Sequence, residues 1–226
     1  MSNILAFDTV STSFSIAIQK EDNSIIEYNK ENVKNHNEEL LPVLHNFLTD
    51  NNLTLDNISY IALGIGPGSF TALRIAFATI KTICYAKNIP IVGISSLETL
   101  YENISEKEGI KSAMIDARKG SVYANIYNDN EKIVENADLT YQQFIEIIKS
   151  INTSNKNITL CGDGFSKNSD FFTENLKNYN INKLDNSYNI IKASKTIKLS
   201  SNKKFDDVFS LIPLYVRKSE AEYKKM

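Results

Sequence analysis

The segment Gly64-Ile65-Gly66-Pro67-Gly68-Ser69-Phe70-Thr71 joins two apolar runs and decides how the first half of the chain folds. The run before it, 58–63, predicts a buried strand, and the run after it, 70–86, predicts a helix that Ser69 caps. Glycine lets the backbone turn sharply and approach another group closely. Such a strand–loop–helix junction resembles a phosphate cradle, whose candidate residues here are Gly66, Gly68 and Ser69.

The composition indicates a globular protein with a substantial core, because the chain has 226 residues of which 42% are hydrophobic. A net charge of -2 and a pI near 5.8 argue against a protein that binds nucleic acid tightly and alone. Cys84 and Cys161 fit neither a disulfide framework nor a metal site. No apolar run approaches the ~20 residues that span a bilayer, and the N-terminus lacks the basic region of a signal peptide. We therefore expect a cytoplasmic protein that makes no membrane contact.

The first half of the chain predicts the element order βββ-α-β-α-β-α. Short strands at 4–7, 14–20 and 24–28 indicate an antiparallel meander. A helix follows, with Asn37 as its cap and an apolar stripe over 40–48. After the glycine loop and its helix we expect a strand at 89–94 and a helix that opens on a Ser-Ser-Leu-Glu capping box.

The second half of the chain repeats this pattern. A strand at 112–115 ends at Asp116, as the first strand ends at Asp8, and aligning the two aspartates also aligns Ile18 with Ile126. A capping box beginning at Thr140 then opens a helix to Ile151, and a strand is predicted at 158–161. We interpret this as an internal repeat, and the fold class as α/β, a duplicated ribonuclease-H-like fold of the actin-like ATPase type. Its two lobes would be 1–105 and 106–226, with a variable polar segment at 178–204.

Two interpretations of the aspartate turns stay open. Asp8 either faces a metal or a phosphate, or is a turn residue that accepts bonds from the backbone after it. The absence of glycine from 9–13 favours the turn. The Asp116–Gly120 segment fits an anion site or a solvated turn equally well. His36 and His45 are nine residues apart, which fits no common metal-ligand spacing, so we expect no metal, no cofactor and no catalytic residue.

The helix predicted at 70–86 is apolar on nearly every side, which indicates burial on more than one side. That burial is either inside the monomer or against another chain. We predict a partner interface on this helix and the one before it. Its residues are Leu41, Leu44, Leu48, Arg74, Phe77, Ala78 and Lys81. Phe77→Asp or Ala78→Arg is expected to break association while the fold survives.

Four segments together resemble the TsaB (YeaZ) family. They are Ile4-Leu-Ala-Phe-Asp-Thr9, His36-Asn-Glu-Glu-Leu-Leu-Pro42, the glycine loop running on to Leu73-Arg74, and Asp116-Ala-Arg-Lys-Gly120. The resemblance implies an actin-like ATPase fold and a part in making threonylcarbamoyladenosine, at the adenosine beside the anticodon of tRNA. It implies a non-catalytic scaffold that dimerises with the related transferase TsaD and meets TsaE through the TsaB–TsaD complex. Without that partner, we expect the same helix faces to pair in a homodimer, and we expect only indirect contact with tRNA.

Two other functions stay open on the residues alone. An independent small-molecule kinase or peptidase of the actin-like ATPase fold would need ATP, a divalent metal or a nucleophile. Direct tRNA binding would use the lysines of 192–204 and the basic residues of 217–225. Glu220 and Glu222 interrupt the second of these groups, and a solvated lysine face is the simpler interpretation.

Overall fold

The computed structural model describes residues 3–10, 14–30 and 36–217, which form two compact units. Among the described residues, unit 1 combines those up to Thr99 with Ile191–Leu214, and unit 2 combines Leu100–Ile190 with Tyr215, Val216 and Arg217. The predicted division at 105/106 therefore needs a correction, because Ile191–Leu214 returns to unit 1.

Unit 1 is built on a five-stranded sheet in the order β3-β2-β1-β4-β5. Its strands are β1 (Asn3–Asp8), β2 (Phe14–Gln19), β3 (Ile25–Lys30), β4 (Ile58–Gly64) and β5 (Ile91–Ile94). β1, β2 and β3 form the predicted antiparallel meander, and β4 and β5 run parallel to β1. Since β1 and β4 are parallel, Asp8 and Gly64 lie together at their carboxyl ends.

Three helices of the first half follow the predicted order: α1 (His36–Asp50), α2 (Phe70–Lys87) and α3 (Ser96–Tyr101). The Ser69 side chain accepts a bond from the Ala72 amide and caps α2 as predicted, and Asn88 ends that helix in the left-handed conformation. Asn37, the predicted cap of α1, is instead the second residue of that helix, and its side chain lies outside the described residues.

Unit 2 repeats the topology of unit 1 with four strands in the order β8-β7-β6-β9. They are β6 (Ile110–Arg118), β7 (Ser121–Asn128), β8 (Glu131–Thr140) and β9 (Ile158–Cys161). β6 occupies the place of β1, because it pairs antiparallel with β7 and parallel with β9. The mostly polar β8 was not predicted.

The helices of unit 2 are α4 (Tyr141–Ile151), α5 (Asp163–Ser166) and α6 (Ser169–Asn175). The capping box predicted for α4 is present, with Thr140 and Gln143 bonded to each other's backbone amides. Phe144, Ile145 and Ile148 of α4 pack into the apolar core of the unit. The short helices α5 and α6 were not predicted.

A last helix, α7 (Ala193–Ser200), explains why the chain returns to unit 1. Ala193 and Ile197 pack on the strand alanines Ala6, Ala17 and Ala62, whose small side chains leave room for a helix on that face of the sheet. This helix lies in the polar segment that we assigned to the second lobe.

Residues 205–214 then run along unit 1 in a mostly irregular path, which we call the strap. The Asp206 amide donates to the Ile91 carbonyl at 2.8 Å, and the Leu214 amide donates to the Ile65 carbonyl at 2.8 Å. Lys81 of α2 holds the middle of the strap by donating to the carbonyls of Phe209 and Leu211. In the described part of the chain, no helix has the length and apolar character needed to cross a lipid bilayer.

Candidate functional site

Asp8 is a buried carboxyl group at the carboxyl end of β1, with only 2% of the residue exposed. Its Oδ2 accepts a hydrogen bond from Ser96 Oγ at 2.7 Å, and its Oδ1 accepts one from the Val10 amide at 3.2 Å. Burial raises the pKa of Asp8 to about 6, although the bonds from Ser96 and Val10 act in the opposite direction. The Val10 bond is the backbone contact that the turn interpretation predicted.

Ser96 links this carboxyl group to the glycine loop and is itself fully buried. Its Oγ accepts from the Gly66 amide at 3.2 Å, and its own amide donates to the Gly66 carbonyl at 2.9 Å. The sequence placed Ser96 only in a capping box. Its role as a bridge was missed because its partner Asp8 is 88 residues away in the chain.

Three amides of the glycine loop, those of Ile65, Gly66 and Ser69, are bonded to the chain itself. Besides Gly66, the Ile65 amide donates to the Ile94 carbonyl and the Ser69 amide donates to the Val10 carbonyl, each at 2.9 Å. A phosphate cradle works by directing several such amides at the anion. Three amides of this loop therefore have protein acceptors where a cradle would offer them to a phosphate.

The loop glycines allow close packing against the Asp8 turn. A Cβ on Gly64 would overlap the Asp8 carboxylate, and a Cβ on Gly68 would overlap the Val10 carbonyl and lie 2.6 Å from Val10 Cβ. Gly66 has a φ of +99°, a conformation that favours glycine. The structure thus brings the predicted loop residues Asp8, Gly66, Gly68 and Ser69 into one neighbourhood, where their contacts are internal.

Three residues of the predicted partner interface lie in the core of unit 1. Leu44, Leu48 and Phe77 are between 3% and 5% exposed, because α1 and α2 pack against each other. This burial corrects their expected role, since they contribute to the stability of the unit. A charge placed at Phe77 would disrupt that core, so Phe77→Asp does not separate association from folding.

The rest of the predicted interface is accessible to different degrees. Leu41 is 53% exposed, Arg74 and Ala78 are also exposed, and Lys81 is half-buried beneath the strap. On α2 the exposed residues recur every three or four positions, so they form one face of the helix. We call this face the α2 stripe; it comprises Thr71, Arg74, Ala78, Thr82 and Tyr85.

Unit 2 has an aspartate at the place of Asp8, in a different environment. Asp116 ends the regular part of β6, and its amide donates to Asp163 Oδ1 at 2.9 Å. Lys167 Nζ lies 2.9 Å from Asp163 Oδ2 and 3.4 Å from Asp116 Oδ2. Burial lowers the pKa of Lys167, but the bonds and charges of Asp163 and Asp116 outweigh it, and the net pKa is raised. An ammonium group therefore lies between two carboxylates here.

The described residues contain no group of three or more His, Cys, Asp or Glu side chains arranged to hold a metal ion. His45 is exposed, and the side chain of His36 lies outside the described residues. Both cysteines are buried, which raises the pKa of Cys161 and raises that of Cys84 to about 12. A thiol in such a site stays protonated and is a poor nucleophile.

Comparison with protein families gives two related matches. The family model described as TsaD, tRNA N6-adenosine threonylcarbamoyltransferase, matches residues 30–225. The chain is 31% identical to the tRNA threonylcarbamoyladenosine biosynthesis protein TsaB of Bacillus subtilis, over 98% of this chain and 96% of that protein. It is 32% identical to the Escherichia coli TsaB over 57% of this chain and 56% of that protein.

Solved structures show the same fold. YeaZ from Pseudomonas aeruginosa superimposes with a TM-score of 0.76 at 22% identity, covering 95% of this chain and 100% of that one. A Bacteroides thetaiotaomicron protein with an actin-like ATPase fold gives a TM-score of 0.52 at 11% identity, covering 87% of this chain and 95% of that one. The actin-like ATPase fold predicted from the repeat is confirmed.

Proposed function

The chain belongs to the TsaB family, and we propose on this premise that it is a non-catalytic subunit in the synthesis of threonylcarbamoyladenosine in tRNA. It would act by binding TsaD, the transferase to whose family model it is also similar. TsaE would meet it through the TsaB–TsaD complex, and the chain alone would form a homodimer. The proposal implies a cytoplasmic location, since it places the chain with the tRNA-modifying subunits.

The state of the glycine loop carries this proposal. An ATPase or kinase of the same fold needs loop amides that face a phosphate, yet the amides of Ile65, Gly66 and Ser69 bond to Ile94, Ser96 and Val10. The carboxyl group of Asp8, at the end of β1, is bonded to Ser96 and buried. Because these loop amides are bonded to other residues of the same chain, the loop favours a structural role over catalysis of ATP hydrolysis or phosphate transfer.

The α2 stripe and Leu41 supply the surface that the proposed association needs. The stripe combines small residues, Ala78 and the threonines Thr71 and Thr82, with the exposed ring of Tyr85. Small residues allow the backbone of another element to approach closely, and aromatic rings are enriched in interfaces. A stable association of this kind buries about 1,200–2,000 Å² in total.

Association should be tested on the full chain with its own TsaD, by light scattering coupled to size-exclusion chromatography and by calorimetry. We expect Ala78→Arg to weaken binding by at least ~100-fold, because a long cation would separate the packed surfaces. Its melting temperature should match the wild type, since Ala78 is exposed. A matched control is Ile133→Arg on β8 of unit 2, where the residue is 39% exposed. If the wild-type chain is strictly monomeric and binds no TsaD, the proposal fails.

A second measurement addresses independent catalysis. We expect calorimetry of the isolated chain with MgATP to show no micromolar binding, because three of the loop amides already have acceptors. Micromolar affinity that Gly68→Val abolishes would instead support the alternative of an independent kinase, since it would show that the loop opens for a nucleotide.

A further inference from the structure

Segment 186–205 has an unusual charge for this chain. It contains five lysines and no acidic residue, although the whole sequence has 27 Asp and Glu against 25 Lys and Arg. The lysines are Lys192, Lys195, Lys198, Lys203 and Lys204. Together with the neighbouring Phe205 we call them the α7 basic surface.

The fold of α7 separates these lysines from its apolar residues. Ala193, Thr196 and Ile197 are buried on the sheet of unit 1. The lysines at 192, 195 and 198 follow one another at three-residue spacing, which places them on one side of the helix. Lys198 is exposed, as are Lys203 and Lys204 in the turn that follows, while Lys192 and Lys195 are half-buried. The segment therefore directs its positive charge outward from one short stretch of the fold.

Few of these charges are neutralised by the protein. In the part of the chain that the structure describes, Lys192, Lys195, Lys203 and Lys204 form no ion pair. The carboxylate of Glu27 lies at the start of α7, where it accepts from the Ser194 amide at 2.8 Å. The Ala193 amide likewise donates to Ser15 Oγ at 2.7 Å. The side chains of these four lysines, and not the end of the helix, are thus the groups available to an anion.

An exposed aromatic ring lies next to the lysines. Phe205 is 58% exposed, and its ring centroid lies 5.4 Å from that of Tyr60 at an interplanar angle of 53°. Tyr60 is fixed in turn, because its hydroxyl lies 3.0 Å from Ser200 Oγ. Lysines that follow a phosphate backbone, combined with an aromatic ring for a base, are the usual parts of a site for single-stranded nucleic acid.

We propose that the α7 basic surface contacts RNA directly, with its lysines on backbone phosphates and Phe205 stacked on an unpaired base. The proposal rests on the proposed function, which supplies tRNA as the RNA, and it replaces the expectation that this chain meets tRNA only indirectly. An anionic membrane is a poorer fit, since membrane-surface helices insert an apolar face. The apolar residues Ala193 and Ile197 of α7 are instead buried in unit 1.

The test is tRNA binding by the complex of the full chain with its TsaD, measured by fluorescence anisotropy from 50 to 300 mM KCl. The variant is Lys195→Ala/Lys203→Ala/Lys204→Ala, and the matched control in unit 2 is Lys149→Ala/Lys177→Ala/Lys183→Ala, which removes the same charge from exposed positions. We expect the variant to bind at least ~10-fold more weakly at 100 mM KCl. The slope of log K against log[KCl] should become shallower by about 2 to 3, since each phosphate contact contributes about 0.7–0.9. The control should change neither value.

Phe205→Ala tests the stacking contact separately. We expect it to weaken tRNA binding about 10-fold with an unchanged salt slope, because stacking releases no counterions. The inference is overturned if both variants bind tRNA like the wild type. It is also overturned if the lysine variant loses affinity for vesicles containing phosphatidylserine, or for TsaD, while tRNA binding is unchanged. Failure of the wild-type chain to bind TsaD would instead overturn the proposed function, so the two failures are distinguishable.

Discussion

Asp8 and Asp116 occupy the same position in two copies of one topology, but their surroundings differ in almost every respect. Each lies at or near the carboxyl end of the first strand of its meander, and each of these strands has a parallel strand on one side and an antiparallel strand on the other. Asp8 is buried and accepts hydrogen bonds from Ser96 and Val10. Asp116 is partly exposed and shares the ammonium group of Lys167 with Asp163.

The difference shows two ways of satisfying a carboxyl group at the end of a strand. In unit 1 the glycine loop closes over it, and uncharged donors meet it in a buried site. In unit 2 a lysine one helical turn beyond Asp163 supplies a permanent positive charge near the surface. The stability that Asp8 contributes in unit 1 therefore depends on close packing and on pH. The stability that the lysine contributes in unit 2 depends on charge and therefore on salt concentration.

Gly64→Ala should give the largest loss of stability. A Cβ at this position would overlap the Asp8 carboxylate. The carboxylate has little room to move away, because Ser96 and Val10 hold it by hydrogen bonds. We expect a loss of about 3 kcal/mol in the free energy of unfolding, measured by urea denaturation at pH 7. The control is Gly120→Ala, where a Cβ meets nothing within 4 Å and only the φ of +76° carries a cost, of about 1 kcal/mol. Equal losses in the two variants would contradict close packing as the reason for Gly64.

Ser96→Ala should come second, at about 2 kcal/mol, because it leaves Asp8 Oδ2 and the Gly66 amide without their partner in a buried site. The control is Ser150→Ala, which removes an exposed bond to the Ile147 carbonyl and should cost less than about 0.5 kcal/mol. Combining Ser96→Ala with Asp8→Asn completes a double-mutant cycle. Strict additivity would mean that the two side chains do not act as one unit.

The pH dependence of Asp8 should be next in size. Its folded pKa of about 6 is raised above the ordinary value of 3.8, so the folded state binds the proton more tightly than the unfolded state. The associated stability is complete below pH 4 and is lost as pH rises through about 6. Between pH 5 and pH 7 we expect the wild type to lose roughly 1.3 kcal/mol relative to Asp8→Asn. A difference between the two proteins that stays constant over this range would show that the carboxyl group is already ionised at pH 5.

Local signals in the sequence were enough for much of the fold. Alternating strands, the Ser69 cap and the capping box at Thr140 act within a few residues, and the structure shows all of them. The repeat of strand, aspartate and strand then predicted the duplicated topology. The helix α7 was missed because its helical signal is weak, and because its position depends on three alanines far away in sequence on the sheet of unit 1.

The candidate site depended more on long-range contacts. The missing glycine after Asp8 favoured a turn, and the bond from the Val10 amide to Asp8 Oδ1 is the local contact that this interpretation predicted. Three other features depend on residues that come together only in the folded chain. They are the bond of Ser96 to Asp8, the burial of Phe77 and the pairing of Lys167 with Asp116. For the same reason, apolar periodicity alone could not divide α1 and α2 into a core face and a free face.

Lys167→Met should have the smallest effect on stability, although it removes the only cation shown between Asp116 and Asp163 among the described residues. Lys167 is 42% exposed, so water screens much of both its attraction and the repulsion left behind, and we expect a loss of about 1 kcal/mol or less. The loss should shrink further in 1 M NaCl, where the Debye length is about 3 Å. Lys177→Met, which breaks the more exposed pair with Glu174, is the control and should be close to neutral. A loss of stability larger than that of Ser96→Ala, and unchanged by salt, would contradict this expectation. It would mean that Asp116 and Asp163 depend on close packing as Asp8 does, and not on a screened surface charge.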